Sequence, residues 1–389
     1  MPRILLVTTS YPEEESGRAA AGSFVQDFAS ELSLAGPVTV LAPGHAAITT
    51  GHDGMQTVRF AAPRLPLSLL NPLRPLDWWA IAATMQRGRQ ALDRVVTEAG
   101  DVGHILALWA LPSGFWARGV SRRHGIPYSC WALGSDIWTL GRIPLVRSLL
   151  SQVIRDAAFR YADGYQLAAD VERIGGRPCR YLPSVRRLPQ GTRSGPASEP
   201  PYRLAYLGRW HMNKGGDLLL DALDELRPDD WSRIAEVRIA GGGPMELLVR
   251  ERIAALRAAH RPVSALGYLE PPDAAQLLRW ADYVLLPSRI ESVPVVFSDA
   301  LQCARPVVSM PVGDLTTLVA NYGVGILSRA VSGIDYARAL QEALSRAPTE
   351  FQSGISRALK TFDLPQAAAS VRRELLPGRS DDSDDGTQT

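Results

Sequence analysis

Only two of the 42 basic residues in this sequence are lysines, Lys214 and Lys360. Arginine does every other solvating job, so a lysine inside a glycine-rich loop carries information. Cysteine is scarce too. Cys130, Cys179 and Cys303 lie far apart, the count is odd, and no C-x-x-C occurs. That excludes a disulfide scaffold and a thiolate metal site, and fits a reducing cytoplasm. The six histidines form no cluster with acids or thiols at metal spacing, so no metal is expected. No apolar run approaches the ~20 residues needed to span a bilayer. Charge of one sign is also lacking. The net charge is +2, with 42 basic against 40 acidic residues. Residues 1–190 carry 20 basic and 15 acidic side chains, far from a polyanion footprint, so no nucleic-acid partner is expected.

What is present suits a large soluble chain. It has 389 residues, 46% of them hydrophobic and 21% charged, enough for two or three domains with cores of their own. The start, MPRILLVTTSYPEEE, reads as a buried strand followed by acids rather than a signal peptide.

Residues 1–182 alternate between short apolar runs and helical spacing. Strands are expected at Ile4–Thr8, Val38–Ala42, Val102–Leu108 and Tyr128–Leu133. Helices are expected at Phe24–Leu34, Leu76–Val96 and Leu145–Tyr161. Residues 183–202, PSVRRLPQGTRSGPASEPPY, lose all apolar period and read as a linker. The alternation then restarts over 203–365. Strands are expected at Arg203–Leu207, Val237–Ala240, Tyr283–Leu286 and Pro306–Ser309, with helices Asp217–Leu226, Met245–Ala258 and Val295–Gln302. Two such halves imply an α/β protein of two doubly wound, parallel-sheet domains. The acidic end, residues 379–389, is expected to be a disordered tail.

Three loops in the second half can hold an anion or a sugar. GRWHMNKGGD follows a strand and opens a helix, placing Gly208, Arg209 and Lys214 where helix N–H groups point. It lacks the G-x-x-x-x-G-K-[ST] spacing of a P-loop. AGGGPM carries Gly243 in a turn that departs from G-x-G-x-x-G, which weakens a nicotinamide-cofactor reading. LLPSRIESVPVVFSDALQCARPVV places Glu291 before a helix that Ser292 can cap and that contains Asp299. Two carboxylates there can accept hydrogen bonds from sugar hydroxyls, or be a capping acid and a solvated one. In the first half, Gly22 opens a helix after the first strand. Ser135 and Asp136 follow a later strand, where Asp136 is either a helix cap or a ligand group.

These runs, in this order, resemble glycosyltransferase family four, of the GT-B fold, in which two Rossmann-like domains face each other across a cleft. The resemblance covers the chain to about residue 375 and is most specific in GRWHMNKGGDLLLDAL, AGGGP and the E-x7-E-like block from Glu291 to Asp299. It implies a retaining, metal-independent transferase that moves a sugar from a UDP- or GDP-sugar co-substrate to a hydroxyl acceptor, whether glycan, lipid-linked or small molecule. Carried onto matching positions, Arg209 and Lys214 neutralise the diphosphate and Glu291 holds donor-sugar hydroxyls. Asp299 sits at the ribose, and Ser292, Val293 and Val295 offer backbone groups to the donor. Gly22 faces the diphosphate from the other domain, Ser135 and Asp136 lie on the acceptor side, and a last helix at 366–378 packs back on the first domain. Three positions depart: Asp299 for Glu, Leu133 for a common His, and Ala304 for a common Gly. The other readings are a sugar-nucleotide epimerase or hydrolase using His104 or His211, and a non-catalytic nucleotide-sugar binder.

Arg59–Arg89 mixes Leu, Pro and the pair Trp78–Trp79 with arginines and one acid, Asp77. This composition suits a cytoplasmic protein with peripheral contact to an anionic inner membrane face. Burial of the same apolar residues in the first domain is the alternative.

Overall fold

The computed structural model describes all residues except 13–21, 53, 66, 68–69, 72–73, 190, 192–194 and 378–389. The expectation of a disordered tail at 379–389 lies outside the described residues.

The first lobe is built on strands β1 Arg3–Val7, β2 Val38–Gly44, β3 Ile48–His52, β4 Met55–Ala61, β5 Val102–Leu108, β6 Tyr128–Ala132, β7 Arg160–Ala162 and β8 Arg180–Tyr181. They lie in the order β3-β4-β2-β1-β5-β6-β7-β8, parallel except for the β3–β4 pair at the edge. The second lobe uses β9 Tyr202–Leu207, β10 Ile234–Ala240, β11 Val263–Gly267, β12 Tyr283–Leu286, β13 Val307–Ser309 and β14 Gly325–Leu327, all parallel, ordered β11-β10-β9-β12-β13-β14. Parallel strands covered on both faces by helices must be apolar throughout. β1 obeys this with Ile4, Leu5, Leu6 and Val7 fully buried, and β12 with Tyr283, Val284 and Leu285.

The expected bounds hold within a few residues in most elements. One fails. The helix expected over Leu145–Tyr161 runs Pro144–Asp156, and β7 follows it. Ala157 is extended, at φ −65° and ψ 138°. Arg160 then turns its guanidinium back onto the Ala157 and Ala158 carbonyls, at 2.6 and 3.2 Å. Those bonds satisfy carbonyls just past the helix end while Phe159 and Tyr161, aromatic residues that favour strands, carry the chain into the sheet.

Helix Leu364–Leu375 crosses back to the first lobe. Its buried stripe of Leu364, Ala368, Val371 and Leu375 has helical spacing. Arg372 donates to the Leu32 and Gly36 carbonyls, at 3.1 and 3.4 Å. Tyr161 donates to Glu374 at 2.6 Å.

Ala304 has φ 58°. A side chain in this left-handed region costs roughly 1–2 kcal/mol. Ala304→Gly should therefore stabilise the chain, by up to about 1.6 kcal/mol once the looser unfolded chain, worth about 0.4–1 kcal/mol, is subtracted. Chemical denaturation checks this; an unchanged or lower midpoint would show that the left-handed alanine carries no strain.

Candidate functional site

In each lobe the loops after the strand carboxyl ends carry the candidate residues. In the second lobe β9 runs into Gly208 and Arg209, then a short 3-10 turn, Met212–Lys214, and helix Gly216–Asp224. Gly215, at φ 66°, joins the last two; a Cβ there would lie 1.8 Å from the Pro287 carbonyl oxygen. Only glycine allows the β9 loop to lie this close to the end of β12. The approach brings Lys214 into direct ion-pair contact with Glu291, which is itself 15% exposed.

The pair shares a small recess with Tyr206, Gly208, Ser288, Pro294 and Val296. Burial, and then the Arg209 guanidinium, pull the Lys214 ammonium down to about 8, while Asp163 of the first lobe pulls it up. The touching Glu291 carboxylate also favours the charged form, so Lys214 is an ammonium at neutral pH. Arg209 itself is exposed. Gly243 backs this loop, its α-carbon set against the Trp210 carbonyl and the Arg209 side chain.

Ser292 does not cap the next helix. That helix spans Val295–Gln302 with Pro294 at its N-cap and no side-chain cap bond, because Pro294 already fixes the entry angle. Ser292 and Val293 are buried, and the Ser292 carbonyl accepts the Asp314 N–H at 3.2 Å. Asp299 is completely buried on this helix, and Arg186 of the linker donates to its Oδ2, Nε at 2.8 Å and Nη2 at 2.5 Å. Burial raises the Asp299 pKa to about 6 against the pull of Arg186, which leaves it ionised at neutral pH. Its other oxygen, Oδ1, is buried without a hydrogen-bond partner among the described residues, so the pair leaves one acceptor of Asp299 unused.

In the first lobe Gly22 is the N-cap of helix Ser23–Ser33, at φ 87°, where a Cβ would strike the Ser10 carbonyl oxygen at 2.5 Å. Asp136 is neither helix cap nor exposed ligand group. The N-cap is Gly134, and the buried Asp136 carboxylate accepts from the Ala110 N–H at 2.6 Å and the Leu133 N–H at 3.4 Å. It ties two strand-end loops together, while Ser135 beside it is exposed. His104 is a core residue bonded to Ser129 Oγ at 2.8 Å, and burial lowers it to about 4. His211 Nδ1 accepts the Asn213 N–H at 3.2 Å within its own turn. His104 is thus held in the core, and His211 is engaged through Nδ1 within its own turn. Among the described residues no group of three or more His, Cys, Asp or Glu side chains could hold a metal ion.

Two acids that sequence reasoning missed sit where the lobes meet. The Asp314 carboxylate accepts the N–H groups of Tyr165 and Gln166, the latter at 3.0 Å, and so caps first-lobe helix Tyr165–Gly175 from the other lobe. Asp163 precedes that helix. Burial pushes it up to about 7; the Ser292 and Ser184 hydroxyls oppose this, and the Asp136 and Asp314 carboxyls add to it. Their partners are some 149 residues away in sequence for Asp314, so no local spacing announces them.

Residues 201–346 match the family model described as "Glycosyl transferases group 1". That match lies within the second lobe. The chain is 34% identical over 145 residues to a D-inositol 3-phosphate glycosyltransferase of Jonesia denitrificans, covering 36% of this chain and 34% of that one. It is 31% identical over 180 residues to one of Corynebacterium diphtheriae, covering 45% and 42%. The match thus spans well under half the length of these curated relatives. Over the whole chain the fold is GT-B. Sucrose-phosphate synthase from Thermosynechococcus elongatus superposes with TM-score 0.74 at 18% identity, covering 96% of this chain and 98% of that one. HepE from Anabaena, in complex with UDP-glucose, superposes with TM-score 0.69 at 16% identity, covering 96% and 99%.

Removing one partner of a buried ion pair leaves the other charge uncompensated, at a cost of about 3–5 kcal/mol. Arg186→Met should show a loss on that scale, and Arg186→Met with Asp299→Leu should recover much of it. Parallel thermal melts of wild type, single and double variants check this. Equal losses in single and double variants would mean that the ion pair is not what Arg186 contributes.

Proposed function

We propose that this protein is a retaining glycosyltransferase that moves a sugar from a nucleotide-diphosphate donor to a hydroxyl acceptor. The observation that carries the reading is the Lys214–Glu291 contact at the carboxyl ends of β9 and β12, with Arg209 close enough to shift the lysine. A diphosphate arriving at Lys214 competes with Glu291 for the ammonium. Once displaced, the carboxylate is free to accept hydrogen bonds from sugar hydroxyls. Donor phosphate and donor sugar are then bound by the two halves of one pair. As the sugar–phosphate bond breaks, charge grows on the leaving diphosphate. Lys214, Arg209 and the N-terminus of helix Ser23–Ser33 are the preorganised groups that stabilise it. No metal or cofactor is needed in this scheme. The glycosyl transferases group 1 match and the relatives' names support the class; UDP-glucose in the HepE structure supports a UDP-sugar donor.

Lys214→Ala and Arg209→Ala should each cut turnover about 100-fold, the scale of one preorganised contact, and activity should survive EDTA. Glu291→Gln should impair transfer more than nucleotide binding. Nucleotide affinity should fall as pH rises through about 8, where Lys214 loses its proton. Lys214→Arg stays charged and should flatten that profile. Assays with UDP- and GDP-sugars and a broad acceptor panel decide the class. Near-normal rates in both alanine variants, or a strict divalent-metal requirement, would reject these roles. Free epimer would identify an epimerase, hydrolysed donor without transfer a hydrolase, and binding without turnover a non-catalytic protein.

The acceptor side supports a peripheral site at the cytoplasmic membrane face and a lipid-linked or envelope-glycan acceptor. Leu76, Trp78 and Trp79 are 87%, 59% and 66% exposed, so these apolar residues are not buried in the first lobe's core. Part of the segment's charge is internal, since Arg64 pairs with Asp77 at 3.0 Å and Arg87 donates to the Ala61 carbonyl. Among the described residues no helix is long and apolar enough to cross a membrane. Co-sedimentation should show binding to anionic but not neutral liposomes, lost at high salt and in Trp78→Ala with Trp79→Ala. Equal pelleting with both lipids, or none, would favour a soluble acceptor.

A further inference from the structure

Asp314 stands at the N-cap of helix Leu315–Tyr322, a position where an aspartate ordinarily caps its own helix. Its side chain makes no such bond. Both carboxylate oxygens go to the other lobe instead. Oδ2 accepts the Tyr165 N–H, and Oδ1 accepts the Gln166 N–H at 3.0 Å. Helix Tyr165–Gly175 has Gly164 at its N-cap and no side-chain cap of its own. The second lobe therefore supplies the acceptor that the first N–H groups of this helix need. Asp314 is buried, so the contact is shielded from water.

The same residue is fastened to the loop that carries Glu291. Its N–H donates to the Ser292 carbonyl at 3.2 Å. Gly313, at φ 49°, lets the two loops touch. A Cβ there would strike the Glu291 carbonyl oxygen and come within 2.6 Å of the Ser292 carbonyl oxygen. From the first lobe, Gly164 closes on the same point. A Cβ on Gly164 would strike Ser292 Oγ and lie 2.5 Å from Asp314 Oδ2. Gly164 is extended, at φ −152° and ψ 153°, a conformation open to any residue. What requires glycine there is the approach of the other lobe. Asp163, the preceding residue, faces the Ser292 hydroxyl. The run Asp163, Gly164 and Tyr165 thus meets Ser292 and Asp314, and Ser292 adjoins Glu291.

We propose that Asp314 is a positioning residue for Glu291. Its side chain grips the first-lobe helix and its N–H holds the Ser292 carbonyl, so the placement of Glu291 against Lys214 depends on how the lobes meet. The rest of the loop is held from the second lobe alone. Before Glu291, the Arg289 N–H donates to the Asn213 carbonyl at 2.8 Å, and after Ser292, Pro294 enters the next helix. Asp314 is the tie that brings the first lobe to bear on the stretch between them. The effect on sugar transfer rests on the transferase reading. A displaced Glu291 holds sugar hydroxyls poorly, while Lys214 and Arg209 remain for the phosphates.

The test uses the full chain, whose lysines are Lys214 and Lys360 alone. Acetic anhydride at neutral pH labels free amines, and mass spectrometry reads Lys214 against the exposed Lys360. The Glu291 carboxylate shields Lys214 and favours its unreactive charged form, so Glu291→Gln calibrates the gain expected when the pair is lost. Asp314→Ala and Gly164→Ala should each raise Lys214 labelling about threefold or more, since the free-amine fraction grows about tenfold for each unit by which the pKa falls. Asp314→Asn keeps one acceptor and should lie between Asp314→Ala and wild type. Tyr161→Phe removes a remote tie, the bond to Glu374, and should leave Lys214 labelling unchanged. Gly164→Ala removes no hydrogen-bonding group, so it decides the matter should Asp314→Ala fail to fold. In sugar transfer, Asp314→Ala should lower kcat about tenfold or more with UDP affinity kept, the mark of a misplaced group. Wild-type labelling in folded Asp314→Ala or Gly164→Ala, or an equal rise in Tyr161→Phe, overturns the proposal. Raised labelling in a chain that transfers no sugar upholds the positioning role and removes only the transferase reading.

Discussion

The geometry of the cleft depends on two adjacent arginines in the chain that joins the lobes. Arg186 reaches into the second lobe and neutralises Asp299, buried on helix Val295–Gln302. Arg187 reaches into the first, where its N–H donates to Asp27 at 2.8 Å and its guanidinium pairs with Glu31 on helix Ser23–Ser33. One dipeptide therefore holds the two helices whose amino ends open toward the strand-end loops. A linker tied at both ends leaves the lobes less freedom than its Pro, Gly and Ser content suggests. The Asp314 cap on Tyr165 and Gln166, and the return of helix Leu364–Leu375 to the first lobe, act in the same direction. Arg186 with Asp299 is the most protected of these contacts because its acid is completely buried, whereas Arg187 is largely exposed and its pair with Glu31 contributes less.

With the lobes set, the charges at the seam fall into a sequence. Glu291 holds Lys214, Lys214 feels Asp163 across the cleft, and Asp163 is crowded by Asp136 and Asp314. A single ammonium thus stands between acids of both lobes. An incoming polyanion would add negative charge at this point, where Lys214 and Arg209 supply positive charge. Asp163, pushed up to about 7 mainly by burial, is the acid of this group that most readily takes a proton near neutral pH.

Much of the fold was legible because its signals are local. Val102–Leu108, Tyr283–Leu286 and Val295–Gln302 have the bounds that their apolar runs and flanking turn residues predict. The Lys214 loop was legible for the same reason: strand, glycine turn and helix start are adjacent in sequence. The E-x7-E-like spacing put Glu291 in the loop after β12 and Asp299 on the next helix, as the structure has them, but could not show that the linker pairs with one Asp299 oxygen. That outcome depends on Arg186, 113 residues away. The overlong helix to Tyr161 has a related cause. Helical spacing continues past Asp156, and only the pairing of β7 with β6 ends it. Asp314 and Asp163 carry no motif at all, because their surroundings are made by contacts between elements rather than within one.

The scarcity of lysine then has a physical reading. Arginine keeps its charge at every pH a cell reaches and prefers fixed, forked partners, which suits the clamp at Arg186 and Arg187 and the paired arginines elsewhere on the surface. At position 214 a permanent fork matched to Glu291 would make a tighter, bidentate pair that a ligand must break. A lysine offers a compact charge on a flexible stem with a pKa that its surroundings can move. It holds Glu291 through one ammonium group and can pass to a phosphate oxygen without reorganising a planar pair. Under the proposed reading, a place in the cleft where a charge changes partners is held by one of the two lysines rather than by an arginine.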